Sequence, residues 1–323
     1  VGSEMCIRDR VNIKRKKRHR TMKRIFTIFM TMVMLLGMTQ VAMAAEKNPY
    51  AFQAAVDVLK SDQKVEETEA LPKVDPTEYI PVLMYHHFAV RDMGFGDGIT
   101  TMQSELEEQI RYFKEQGYTI ISMEELDQIL AKKEQEKDTD GDSGLDMKVK
   151  YLCITMDDGY YSNYDLAYPV FRKYNVPATI FVVTDYITNQ IGLKKFTWSN
   201  ASEMINNSKV GIYNHTSNHV PAGKTTTEDF VAAALAGEEA LEANLPTRRT
   251  SVKALAYPNG QNTPELQQAL LDEGFSLLFT IEPGVINRNT SRGAIPRIMV
   301  SSGMTGADIV ARIEQTAART MGS

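Results

Sequence analysis

Apolar residues recur along this chain with two periods that alternate. Short runs at 80–85, 118–122, 151–156, 178–184, 209–214, 252–257, 276–281 and 296–300 are β-prone and predict buried strands. Between them, 102–116, 123–132, 163–174, 199–207, 227–243, 264–273 and 305–319 carry helical spacing. Element ends have their own chemistry. Ser122-Met-Glu-Glu125 spells a capping box, in which hydroxyl and carboxylate each satisfy an orphan amide. Thr263 stands as an N-cap before Pro264, and Gly117 and Gly274 follow their helices where a left-handed residue closes the last turn. Strands alternating with helices predict a parallel sheet covered by helices. Seven or eight such units predict a distorted (β/α) barrel, α/β in class, with about seven parallel strands in one domain.

That rhythm occupies 79–323, and ahead of it the pattern changes three times. Residues 1–21 show no period, contain the basic run from Lys14 to Arg20, and read as an artefact or a basic leader outside the fold. Residues 22–44 read as a signal peptide, with Lys23-Arg24, an apolar centre, and small residues at Ala42 and Ala44 before a cleavage site. The stretch 25–45 would also suffice as a membrane anchor if it stayed uncleaved. Either outcome places the domain outside the cytoplasm, secreted or attached to the cell envelope. Residues 45–78 carry Pro49, Pro72 and Pro76 around a charged middle, and read as a polar spacer with one short helix over 50–60.

Composition sharpens this. The 323 residues are 43% hydrophobic and 24% charged, ordinary for a soluble globular chain. A domain of this size buries roughly 75% of its unfolded surface without covalent staples. The two cysteines, Cys6 and Cys153, agree, since only Cys153 lies within the domain, mid-strand among apolar residues. Removing residues 1–44, with 10 Lys+Arg and 2 Asp+Glu, leaves 26 basic against 39 acidic residues, a net charge near −13. So acidic a domain is a poor partner for nucleic acid and suits a neutral or cationic polymer. The acidic insert 138–146 begins like a calcium loop, but its glycine is misplaced and Val149 stands where a glutamate is needed, so it reads as a solvated loop.

Chemistry gathers at strand ends. His86-His87, Asp157-Asp158, His215 and Pro258-Asn259-Gly260 each fall just past a predicted strand, the end where barrels of this kind place their active sites. Asp158, His215 and His219 make a two-histidine, one-carboxylate set suited to one divalent ion, zinc foremost, with cobalt or nickel as alternatives. The four-residue step from His215 to His219 predicts two imidazoles on one face of a helical turn. Three protein ligands leave a position open for water, and Asp157 remains free to accept a proton.

These motifs resemble the NodB-homology polysaccharide deacetylases, a family of metal-dependent carbohydrate esterases. Thr155-Met-Asp-Asp-Gly159 matches that family's Thr-Phe-Asp-Asp-Gly, and His215 to His219 matches its His-Ser/Thr-x-x-His. Val176-Pro-Ala-Thr-Ile-Phe-Val182 is also similar, and the resemblance spans about 80–319. It implies hydrolysis of N-acetyl groups on amino sugars, with Asp157 as base and Asp158, His215 and His219 as metal ligands. Tyr85-His-His-Phe88 resembles the subgroup acting on poly-N-acetylglucosamine. An N-acetylglucosamine polysaccharide is thus the expected partner.

Two departures stand out. Where the family has Arg-x-Pro-x-Gly, this chain has Ala256-Tyr-Pro-Asn-Gly260, which leaves the Asn259 backbone amide as an oxyanion donor and Arg297 as a substitute for the absent arginine. No histidine follows His219, so the general acid falls to His86 or His87. Tyr160, Trp198, Tyr257 and Arg297 are the candidates for binding substrate. The competing readings are a catalytically weak glycan-binding protein that keeps the metal, and a cyclic-amide hydrolase on the same barrel.

Overall fold

The computed structural model describes residues 72–91, 98–135, 145, 147–248 and 250–322. The expected signal at 22–44, the short helix at 50–60, and most of the spacer and of the insert at 138–146 lie outside the described residues.

All eight expected strands form, several of them shorter than the apolar runs that announce them. They are β1 (Val82–Tyr85), β4 (Tyr118–Ile120), β5 (Lys150–Met156), β6 (Ala178–Val182), β7 (Val210–Asn214), β8 (Ala254–Ala256), β9 (Leu277–Phe279) and β10 (Ile298–Met299). Two more, β2 (His87–Ala89) and β3 (Thr100–Met102), pair with each other outside the main sheet and carried no apolar run by which to predict them. The seven expected helices are α1 (Gln103–Glu115), α2 (Met123–Gln135), α3 (Tyr168–Tyr174), α5 (Trp198–Asn207), α6 (Thr227–Asn244), α7 (Pro264–Asp272) and α8 (Gly306–Met321), with an unforeseen α4 (Thr184–Asn189). The predicted cap at Ser122 is present, its hydroxyl accepting from the Glu125 amide at 3.2 Å while the Glu125 carboxylate accepts from the Ser122 amide at 2.8 Å. Ahead of α3 the chain makes a π-helical turn, Asn163–Ala167, where simple α-helix was expected.

Seven parallel strands run in the order β10-β1-β5-β6-β7-β8-β9, and β4 pairs with the start of β5. The sheet curls into a half-barrel with flanking helices, as expected of a distorted (β/α) barrel. A strip near the C-terminus bridges its two edges: Ile295 pairs with Phe279 of β9, and Ile298 and Met299 pair with Leu83 and Met84 of β1.

Alternation along the strands sorts the core into layers. Val82, Cys153, Phe181, Tyr213, Ala254, Ala256, Leu277 and Phe279 meet inside the curve. Leu83, Tyr85, Leu152, Ile154, Ile180 and Ile212 face outward against α1, α3, α5 and α8, while Leu255, Tyr257 and Leu278 lie under α6 and α7. The strands β1, β5, β6, β7, β8 and β9 are therefore buried on both faces along most of their length, which is why they read as continuous apolar runs. The same parity sends Asp157 and His86, two residues on from Thr155 and Met84, to the inside.

Candidate metal and hydrolase site

Asp157 ends β5 on the inward face and is 3% exposed. Arg297, fully buried on the bridging strip, meets it with both ends of its guanidinium: Nη1 donates to Oδ1 at 2.8 Å and Nη2 to Oδ2 at 2.7 Å. Two further donors of Arg297 go to the Thr280 carbonyl and the Thr155 hydroxyl. Burial alone would favour the neutral acid, but Arg297 outweighs it, with smaller contributions from His215 and His86. Together they hold the Asp157 carboxyl well below the usual carboxylate range.

Asp158 leaves the strand with φ 74°, followed by Gly159 with φ 67°. Two consecutive left-handed residues turn the chain sharply, and Asp158 bears that strain although it is not glycine. Gly159 could not be replaced cheaply, because a Cβ there would sit 2.9 Å from Ile187 Cδ1. The turn brings Asp158 Oδ1 to 3.7 Å from His215 Nε2 and 3.5 Å from His219 Nε2, and the two Nε2 atoms lie 3.2 Å apart.

The histidines are not on a helical turn, contrary to expectation. Thr216 (φ 65°) and His219 (φ 59°) are both left-handed, and side chains tie the loop between them. Asn214 Oδ1 accepts from the Thr216 amide at 2.7 Å, and Thr216 Oγ1 accepts from the His219 amide at 3.0 Å. A helix would have had to start at a buried strand end, and these side-chain acceptors offer the backbone an alternative. The convergence predicted from spacing is reached by a different path.

These three donors suit a divalent ion. The Nδ1–H of His215 donates to the Ala256 carbonyl at 2.7 Å, which leaves the Nε2 lone pair turned toward Asp158 and His219. Burial first, then the neighbouring His215, lowers the His219 pKa to about 4, so its imidazole is neutral and able to ligate near pH 7. Separations of 3.2, 3.5 and 3.7 Å match the edges of a tetrahedron, about 3.4 Å for bonds of about 2.1 Å. All ligating atoms of Asp158, His215 and His219 lie within 4.8 Å of one another.

Other expected residues divide. His86 is half-buried on the inward face near Asp157 and Asp158, and its Nδ1 is buried without a hydrogen-bond partner. His87 points the other way, with Nδ1 3.4 Å from Thr100 Oγ1 and its ring edge-on to Tyr160. Asn259 is exposed on a turn with φ 54° just past β8. Tyr160 is half-buried beside the Asp158 turn. Trp198 opens α5 half-buried, its Nε1 donating to Thr188 Oγ1 at 3.2 Å and its ring packed on the outer core.

Two substrate-binding expectations are corrected. Tyr257 is fully buried on the outer face of β8, its hydroxyl donating to the Gly293 carbonyl at 3.0 Å, so it cannot reach a sugar. Arg297 has no exposure and holds Asp157 instead, which places it where the absent arginine of the third motif was needed.

Sequence reasoning missed Lys195. The loop carrying it is stitched to the Asp158 turn by backbone bonds, Tyr161 amide to Lys194 carbonyl at 2.8 Å and Phe196 amide to Gly159 carbonyl at 3.2 Å. No periodicity marks it, and Lys194-Lys195 reads as a solvated pair. A separate cavity of about 700 Å³, lined by Glu124, Tyr213 and Arg248, opens where β6 and β7 begin and contains none of these site residues.

A polysaccharide deacetylase family model matches residues 144–278, a span containing Asp157, Asp158, His215 and His219. The YxkH protein of Bacillus subtilis (strain 168), whose name assigns it to the polysaccharide deacetylases, is 27% identical over 91% of this chain and 99% of its own length. The chain resembles the polysaccharide deacetylases in sequence and in site. A poly-β-1,6-N-acetyl-D-glucosamine N-deacetylase of Staphylococcus epidermidis is 28% identical over 47% of this chain and 55% of the relative. Two solved structures share the fold: the Streptococcus pyogenes deacetylase PplD in complex with acetate (TM-score 0.62, 21% identity, 75% of this chain and 100% of that one) and IcaB from Ammonifex degensii (TM-score 0.59, 22% identity, 73% and 97%). Set beside that family's motifs, this chain departs at Ala256 yet keeps an arginine on its inner aspartate.

Proposed function

We propose that this protein is an exported hydrolase that removes N-acetyl groups from N-acetylglucosamine residues of a cell-surface or extracellular polysaccharide. The observation that carries the reading is the three-donor face of Asp158, His215 and His219 beside a separate carboxylate, Asp157, held ionised by Arg297. Relatives named for action on poly-β-1,6-N-acetylglucosamine support the choice of polymer. A divalent ion held by the three ligands, zinc by donor chemistry and cobalt or nickel as alternatives, would supply a Lewis acid for the acetyl carbonyl and an acidified water.

The residues of the chain do the rest. Asp157 accepts the proton of the attacking water at its carboxylate, whose plane Arg297 fixes from both oxygens. A carboxylate held so far below its usual range is ionised at every working pH and keeps an acquired proton only transiently. The leaving nitrogen must be protonated as the C–N bond breaks, and His86 shares the inward face with Asp157. The Asn259 amide is the proposed donor to the carbonyl oxygen, and Tyr160 and Trp198 are the proposed walls for the sugar.

Arg297 weakens the glycan-binding alternative, because the arginine absent from the third motif has a counterpart in space. The test is acetate release, by mass spectrometry, from poly-β-1,6-N-acetylglucosamine and from peptidoglycan, with and without chelator. Release from either, abolished by chelator and restored by zinc, is the expected result. Asp157→Asn should keep the ion and lose roughly 10²–10⁴ in rate. Acetate release indifferent to chelator, or an Asp157→Asn variant above a tenth of wild-type rate, would overturn the assignment.

A further inference from the structure

Lys195 is 3% exposed, a rare state for a lysine. Its ammonium lies 3.7 Å from the ring centre of Tyr160 and 5.6 Å from that of Tyr186, resting on aromatic faces rather than in an ion pair with Asp158. Tyr186 in turn lies 6.0 Å from the ring of His219. The charge of Lys195 acts on both Asp158 and His219, two members of the three-donor set. Arg297 is committed to Asp157 by two hydrogen bonds, whereas the Lys195 ammonium rests on aromatic rings beside Asp158 and His219.

We infer that Lys195 is a fixed cation of the reaction site that stabilises the negative charge gathering on the acyl oxygen and remaining on the carboxylate product. This rests on the deacetylation reading. There, water adds to the acetyl carbon, the C–N bond breaks, the amine departs with a proton and the acyl group departs as acetate. The acetamide substrate is neutral, whereas the intermediate and the product are anions. A cation preset in a water-poor wall acts on those species and hardly on the ground state.

The test compares wild type with Lys195→Met and Lys195→Arg, all loaded with zinc. Sodium acetate is titrated calorimetrically, metal per chain is measured by elemental analysis, and kcat and KM are taken on an N-acetylglucosamine oligomer. Lys195→Met should weaken acetate binding about tenfold or more and lower kcat comparably, with KM within about threefold and metal content unchanged. Lys195→Arg should keep acetate affinity within about threefold of wild type. Should the methionine variant fail to fold, Lys195→Gln is judged by the same criterion. Acetate affinity within about twofold of wild type, or zinc lost in step with it, overturns the inference. Wild-type protein that releases no acetate from any polymer would sink the deacetylation reading instead; turnover with acetate binding indifferent to Lys195 sinks this inference alone.

Discussion

Arg297 grips Asp157 through both carboxylate oxygens, at 2.8 and 2.7 Å, across 140 residues of sequence. Neither partner is exposed enough for water to take the other's place. Breaking one side of such a pair leaves an uncompensated charge in an apolar interior, which costs about 3–5 kcal/mol.

Arg297→Met should therefore destabilise by about that amount at pH 7.5 in urea unfolding. The pH dependence gives a sharper check. In wild type the Asp157 pKa is depressed, so its contribution is complete above the unfolded value of about 4 and fades only as pH falls below it. Without Arg297, burial dominates and raises the carboxyl, so the folded variant gains relative stability as pH falls. The deficit of Arg297→Met should shrink from pH 7.5 to pH 5; a constant deficit would mean that Asp157 is not the group responsible.

Asp158→Asn isolates the metal. Asparagine tolerates the left-handed backbone at this position, so the turn survives while a charged ligand is lost. Elemental analysis should find about one zinc per chain in wild type and under about 0.2 in the variant, with the unfolding midpoint little changed. Equal metal in both would remove Asp158 from the ligand set.

The two adjacent histidines should separate cleanly. His86 shares the inward face with Asp157, and His87 faces β3 and Tyr160. His86→Ala is expected to cost at least about tenfold in kcat on a chitooligosaccharide, and His87→Ala less than about threefold, with metal checked in each. If His87→Ala proves the more damaging, the proton donor is misassigned.

Tyr257→Phe should leave acetate release unchanged and cost about 1 kcal/mol, because its hydroxyl serves only the Gly293 carbonyl under the helix layer. A tenfold activity loss would restore it to the substrate groove.

The strand–helix rhythm was legible because parallel strands buried on both faces write themselves as unbroken apolar runs. Asp157, Asp158, His215 and His219 were legible because they sit beside one another or four apart at the ends of such runs. What escaped has a common cause. β2 and β3 are three-residue strands off the main sheet, too short for any period to show. The loop from His215 to His219 follows side-chain acceptors at Asn214 and Thr216, a choice that spacing alone does not express. Tyr257 was misplaced by one step of strand parity, its neighbour Ala256 being the inward residue. Lys195 depends on a loop meeting a distant turn. Arg297 could be suspected by elimination, but only the barrel's curvature carries it to Asp157.

Arg297 lies on the strip that reaches both edges of the sheet, so the seating of that strip and the preparation of Asp157 are one event. A chain whose strip at 295–299 has come away holds Asp157 without its partner in an apolar interior, where the carboxyl takes up a proton. Such a frayed molecule would still hold Asp158, His215 and His219 close together but would carry a neutral Asp157, so the charge state of this aspartate reports whether the strip is seated.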